Sequence, residues 1–173
     1  MDIIWKKLEI EDEGIIRHYY DMVPMRNCEF TFANNFLWAP FYEIRYAIVE
    51  DMLVFISDEA DLSVSCPLGN GDLKRAVDVL VQFFEEKGRP FKIHLVSPAQ
   101  FEKLEALYPG RFQVEYDRDA ADYVYESERL ITLSGKKLHG KRNHINRFKE
   151  NFPDWSYEKI SDANVPRRSS DSG

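Results

Sequence analysis

Residues 136–149, KKLHGKRNHINRFK, hold six Lys and Arg and not one Asp or Glu. Cations at this density suit phosphate oxygens, with Arg as a two-pronged fork and Lys as a compact point charge. On a helix, Lys137, Lys141 and His144 fall at i, i+4 and i+7 along one side, and Asn143 and Arg147 make a second polar row. Leu138, Ile145 and Phe148 leave only a narrow apolar stripe. We take Lys137, Lys141, Arg142, His144 and Arg147 as the candidate anion-binding set, for a phosphate-bearing partner such as tRNA or an anionic lipid head group. The plainer account is a basic helix docked on an acidic protein body, and a peptide or protein partner is the third.

Other chemistry finds less support. His139 and His144 stand five apart, not the i, i+4 that sets two imidazoles on one helical face for zinc. His18 and His94 have no Cys or second His nearby, so no metal site is expected. No GxSxG, phosphate-loop or dinucleotide glycine pattern occurs, and the run CPLGNG lacks the third glycine of the last. Ser97 and Ser134 have no recognisable base in sequence. Nucleophilic catalysis is not expected, and no catalytic residue is assigned. Cys28 and Cys66 lie outside any CxxC spacing and are expected to be buried free thiols of a cytoplasmic protein.

The elements that must position these groups are bounded by composition. With 173 residues, 44% hydrophobic and 31% charged, and only 8 Gly and 8 Pro, the chain is neither disordered nor collagenous. No apolar run reaches the roughly 18 residues of a membrane span, and the start MDIIWKKLEIEDEG is too acidic for a signal peptide. The net charge of -7 is unevenly spread: residues 1–135 carry 14 Lys and Arg against 25 Asp and Glu. The body should repel polyanions and the basic stretch should attract them.

Along the chain, IEDEGIIRHYYDMV predicts a helix using Ile10, Ile15, Tyr19 and Met22 and stopped by Pro24. TFANNFLWAPFY predicts a short helix or turn whose Phe32, Phe36 and Trp38 plug the core. EIRYAIVE and MLVFIS predict a hairpin turning at Glu50-Asp51, followed by the strand LSVSC. Leu73, Ala76, Val77, Leu80, Phe83 and Phe84 form a broad apolar stripe, which predicts a helix capped by Asp72 and closed by Gly88. A strand FKIHLVS, a helix opening at Pro98, and strands RFQVEY and ADYVYES are expected next. The basic helix, a strand WSYEKIS and a disordered polar tail NVPRRSSDSG complete the chain.

This order resembles the acetyltransferase-like (GNAT) fold, an α/β (α+β) build with a mixed, mostly antiparallel sheet flanked by helices. In that family a glycine loop and the following helix N-terminus take the cofactor pyrophosphate. The resemblance points to Gly69 and Gly71 as weak cofactor contacts. Cys66 stands where the family has Arg or Gln and Asp72 adds a negative charge, so tight coenzyme A binding is not expected. LSGKKLHGKRNHINRF, the FLW run and WSYEKIS resemble bacterial proteins of the DUF2156 group, over about residues 1–162. Those are related to the C-terminal domain of phosphatidylglycerol lysyltransferase, which moves lysine from lysyl-tRNA to a lipid.

The resemblance implies a pair of acetyltransferase-like halves with the basic helix near their junction. It divides the chain into a GNAT-like domain at 1–134, the basic helix at 135–152, and the start of a second half plus tail at 153–173. It implies an acyl- or aminoacyl-transferase domain, incomplete and inactive as this fragment, with acyl-CoA or aminoacyl-tRNA as donor. The alternative is a noncatalytic module that docks on tRNA or an anionic lipid surface.

Overall fold

The computed structural model describes residues 3–23, 25, 27–58, 61–119 and 121–164. The chain divides after Asp122 into two compact units. Among the described residues of the first, strands β1 (Lys6–Lys7), β2 (Arg45–Val49), β3 (Met52–Ser57), β4 (Ser63–Ser65) and β5 (Ile93–His94) form one sheet in that order. All neighbours are antiparallel except β4 and β5, which run parallel. The mixed, mostly antiparallel sheet flanked by helices is the expected one.

Strand β3 sits in the middle, and all of its residues from Met52 to Ile56 are buried. Its alternation sends Met52, Val54 and Ile56 to one face and Leu53 and Phe55 to the other. The first face is covered by α3 (Leu73–Glu86), which brings Ala76, Leu80 and Phe84. The second is covered by α1 (Glu13–Tyr20) and α2 (Phe32–Trp38), with Ile16, Tyr20 and Phe32. Helix α3 begins as its sequence predicts, with the Asp72 carboxylate accepting from the Arg75 N–H at 3.0 Å. Its Val77 also meets Cys66 and Leu104 of α4 (Pro98–Leu107). Each such burial stabilises by about 1.5–3 kcal/mol.

The hairpin turns where expected, but without a glycine. Glu50 and Asp51 both lie in the left-handed region, at φ 50° and 58°, as a two-residue primed turn requires. That conformation costs L-residues about 1–2 kcal/mol each. An ion pair from Arg75 to Glu50 at 3.2 Å ties the turn to α3, and the loop before α3 runs against it. A Cβ on Gly71 would stand 1.9 Å from the Glu50 carbonyl oxygen, and one on Gly69 2.9 Å from that of Asp51. Contact with this turn accounts for the missing side chain at both glycines.

Several expectations are corrected. A three-residue 3-10 turn at Ile10–Asp12 delays α1 to Glu13. The helix therefore buries Ile16 and Tyr20, while Ile10 and Ile15 are exposed. Helix α1 ends at Tyr20, and Pro24 lies outside the described residues. Trp38 is 47% exposed and stacks loosely on Phe41 and Tyr42 instead of plugging the core. Cys28 is exposed, unlike Cys66. The expected strand at 91–97 contracts to β5.

The segments 111–116, 121–126 and 155–161 have no strand structure, and Ser127 instead opens α5 (Ser127–Thr132). Their β-prone residues pair with no strand among the described residues, and such propensity is realised only with a partner. The tail 165–173 lies outside the described residues. Strand β1 was not foreseen, because two exposed lysines give no periodic signal. Its Lys6 ammonium bonds the Asp12 carboxylate, which is 2% exposed and also accepts from the Glu9 N–H at 3.0 Å.

The turn contact yields an opposed pair of outcomes. Gly71→Ala should lower the urea midpoint clearly, since a backbone oxygen must move to admit the methyl. Gly14→Ala, with nothing within 4 Å of the added Cβ and a helical site, should raise stability by about 0.4–1 kcal/mol. Equal midpoints for the two variants would refute this account of Gly71.

Candidate functional site

A cavity of about 330 Å³ opens in the first unit where α1 and α2 meet the β4–β5 end of the sheet. Strand β5 pairs with β4 over two residues only, and Leu95 then turns the chain away at φ 53°. The sheet therefore stops short of this corner. Tyr20 comes from the end of α1, Glu29 from the 3-10 turn Cys28–Phe30, and Asn35 from α2. Ser63 and His94 come from β4 and β5, and Cys66 follows β4.

The polar groups here are held in place from behind. The Asn35 amide donates to the Tyr20 hydroxyl at 2.9 Å and to the carbonyl oxygens of Glu29 and Thr31 at 2.6 and 3.1 Å. Ser63 Oγ lies 2.9 Å from His94 Nδ1, and Ser65 Oγ accepts from the Phe55 N–H. Burial, with a smaller push from the Lys92 cation, takes the His94 imidazole down to about 4, so the ring is neutral at physiological pH. Burial pushes the Cys66 thiol up to about 12. A protonated thiol is a poor nucleophile.

Glu29 is also raised above the usual carboxylate range, first by burial and further by the Asp122 carboxylate, against the opposing bond from the Cys28 thiol. Sequence reasoning named His94 only to set it aside and missed Tyr20, Glu29, Asn35 and Ser63. One usable signal was Asn35, a polar residue in the buried phase of an otherwise aromatic helix.

The anion-binding set lies in the second unit. A 3-10 turn at Lys136–Leu138 precedes α6 (His139–Asn151). Lys137 therefore sits on the turn, while Lys141, Arg142, His144 and Arg147 sit on α6. Lys137, Lys141, His144 and Arg147 are exposed. Arg142 is not free: its guanidinium donates to the carbonyl oxygens of Leu133 and Gly135. It fastens α6 to the preceding loop, where both residues have positive φ.

Helical spacing puts Lys141, Ile145 and Phe148 on one face, cationic toward the start of the helix and aromatic toward its end. Phe148 packs with Phe152 at 5.2 Å and Trp155 at 6.1 Å between ring centroids, yet all three remain about half exposed. Among the described residues of this unit, only Leu133 has a buried apolar side chain. Gly69 and Gly71 belong to the first unit, at the hairpin contact described above.

The family model described as "Phosphatidylglycerol lysyltransferase, C-terminal" matches residues 20–169. The chain belongs to this family. It is also 34% identical to a solved protein of Bacteroides thetaiotaomicron VPI-5482, titled a conserved protein of unknown function, with a TM-score of 0.79. That likeness covers 96% of this chain and 57% of the other, so the chain spans little more than half of that relative. No curated protein matches the chain.

The His94 environment gives a pH test. The unfolded imidazole titrates near 6.5 and the folded one near 4, so as pH falls below about 6.5 the unfolded state takes the proton first. This group should remove stability progressively from pH 6.5 down to about 4 and contribute no slope above or below that window. Urea midpoints of wild type and His94→Asn should therefore converge as pH falls from 7 to 4.5. Parallel curves would show that His94 titrates normally.

Proposed function

We propose that the chain is an aminoacyl-transferase domain of acetyltransferase-like build whose α6 face contacts the phosphate of an anionic lipid head group. Family membership supports the reaction class, and the cationic-then-aromatic face of α6 carries the contact. Lys137 and Lys141, with Arg147 from the adjoining row, supply charge for a phosphodiester, and Phe148, Phe152 and Trp155 offer apolar surface for the glycerol and upper acyl chain. The donor in this reading is an aminoacyl-tRNA or an acyl-CoA. Transfer is direct attack by a lipid hydroxyl on the donor's ester or thioester carbonyl: a general base takes the hydroxyl proton, the new lipid ester forms, and the donor bond breaks to release tRNA or coenzyme A.

A second acetyltransferase-like half, from the same polypeptide or another, completes the cleft. The exposed Tyr123, Tyr125 and Tyr157, which the lipid contact does not use, support such a cover, and the 173 residues alone do not catalyse transfer in this reading. No helix of the described residues is long and apolar enough to cross a membrane, so the lipid is met at the surface.

Co-sedimentation with vesicles tests the contact. Phosphatidylglycerol vesicles should bind more protein than phosphatidylcholine vesicles, and binding should fall steeply between 50 and 300 mM salt. The triple change Lys137→Ala, Lys141→Ala, Arg147→Ala should cut it at least fivefold and leave the melting temperature within a few degrees. Arg142 is left intact because it holds the loop. Equal binding to both vesicle types, or no effect of the triple change, would overturn the proposal. Binding to tRNA with none to vesicles would favour a nucleic-acid-docking module instead.

A further inference from the structure

We infer that the cavity between α1, α2 and the β4–β5 end of the sheet is a pocket for a small organic ammonium ion, with the Glu29 carboxylate as its counter-ion. The volume, about 330 Å³, lies at the small end of ligand pockets, which run from about 300 to 1,000 Å³. Among the described lining residues Glu29 is the only carboxylate, and no Lys or Arg is present. His94 does not supply a positive charge, since its ring is neutral at physiological pH. A phosphate or carboxylate ligand would therefore meet a carboxylate and no cation in the lining itself, with Lys92 and Lys103 acting on His94 and Cys66 only from outside it.

The hydrogen-bonding groups point the same way. Tyr20 and Asn35 are 8% and 6% exposed, and their hydrogen-bond partners among the described residues lie inside the protein. The NH₂ end of Asn35 is committed to Tyr20, Glu29 and Thr31. Its Oδ1 has no donor among the described residues. An ammonium group brings three donors and no acceptor, which suits the Asn35 amide oxygen and a Glu29 carboxylate whose side-chain donor among the described residues is the Cys28 thiol at 3.8 Å. Behind Glu29, Asp122 accepts from the Cys28 N–H at 3.1 Å and from the Cys28 thiol at 3.4 Å, adding negative potential from the same side.

The remaining wall is apolar and aromatic. Phe30 and Phe55 flank Tyr20 at 5.7 and 6.3 Å between ring centroids. Such a wall accepts an alkyl stem and favours a cation near ring faces. The inference is independent of the α6 contact, which uses other residues and the opposite charge.

The test is a ¹H–¹⁵N titration of the intact chain with n-butylammonium, n-butanol and butyrate at fixed ionic strength. Butylammonium should perturb the amides around Tyr20, Glu29, Asn35 and His94 saturably, butyrate should not, and butanol should bind at least tenfold more weakly. Glu29→Gln should weaken the amine at least tenfold, whereas Lys137→Ala with Lys141→Ala should leave its affinity unchanged. If Glu29→Gln does not fold, the comparison of the three ligands on wild type decides alone. Equal binding of butanol and butylammonium would overturn the inference, as would an amine response scattered over the acidic surface. Retained affinity in a folded Glu29→Gln variant would do the same.

Discussion

Strand β3 has no face toward solvent, and the first unit is built around that fact. A strand buried on both sides needs an apolar layer above and below it. The run from Met52 to Ile56 meets this by facing α3 on one side and α1 with α2 on the other. Its edges are then fixed by the hairpin to β2 and by the short pairing to β4. The strained Glu50-Asp51 turn is tolerable because the ladder, Arg75 and the glycine loop all hold it. The cavity belongs to the same layout: residues of α1 and α2 line it together with residues of β4 and β5, and the polar groups among them are anchored to one another.

The second unit lacks such a centre. Its helices α5 and α6 bury no residue, and its order comes from local devices, chiefly the Arg142 guanidinium clasping two carbonyl oxygens. Large side chains such as Phe148, Phe152 and Trp155 are left about half in water. Apolar exposure on this scale is what supports reading this face as a contact surface. The two units therefore offer different chemistry: an open-mouthed cavity with one carboxylate in one, and an exposed cationic and aromatic helix face in the other.

Much of the architecture was legible because it depends on local pattern. The stripe from Leu73 to Phe84, the Asp72 cap and the Pro98 start of α4 are short-range signals, and each is realised. The hairpin was readable from alternation, although its turn residues are not the usual ones. The segments 111–116 and 155–161 misled, because alternation shows that a strand would have two faces but not whether a partner strand pairs with it. Helix α1 misled by one position: pairs 15/19 and 16/20 have the same spacing, and only the sheet beneath selects the second.

For the candidate sites the division follows the same physics. Charge is additive along a chain, so the sequence alone determined that 136–149 is a cationic segment in an acidic protein, and that it forms a helix. Which of those cations is free was decided by the fold, since only the path of the loop shows that Arg142 is spent on Leu133 and Gly135. The cavity had no counterpart in sequence. Tyr20, Glu29, Asn35, Ser63 and His94 are spread over 75 residues of chain, and nothing in their spacing links them. They meet because β3 must be covered on both faces and the sheet ends early at β5, a condition that exists only once the chain is packed.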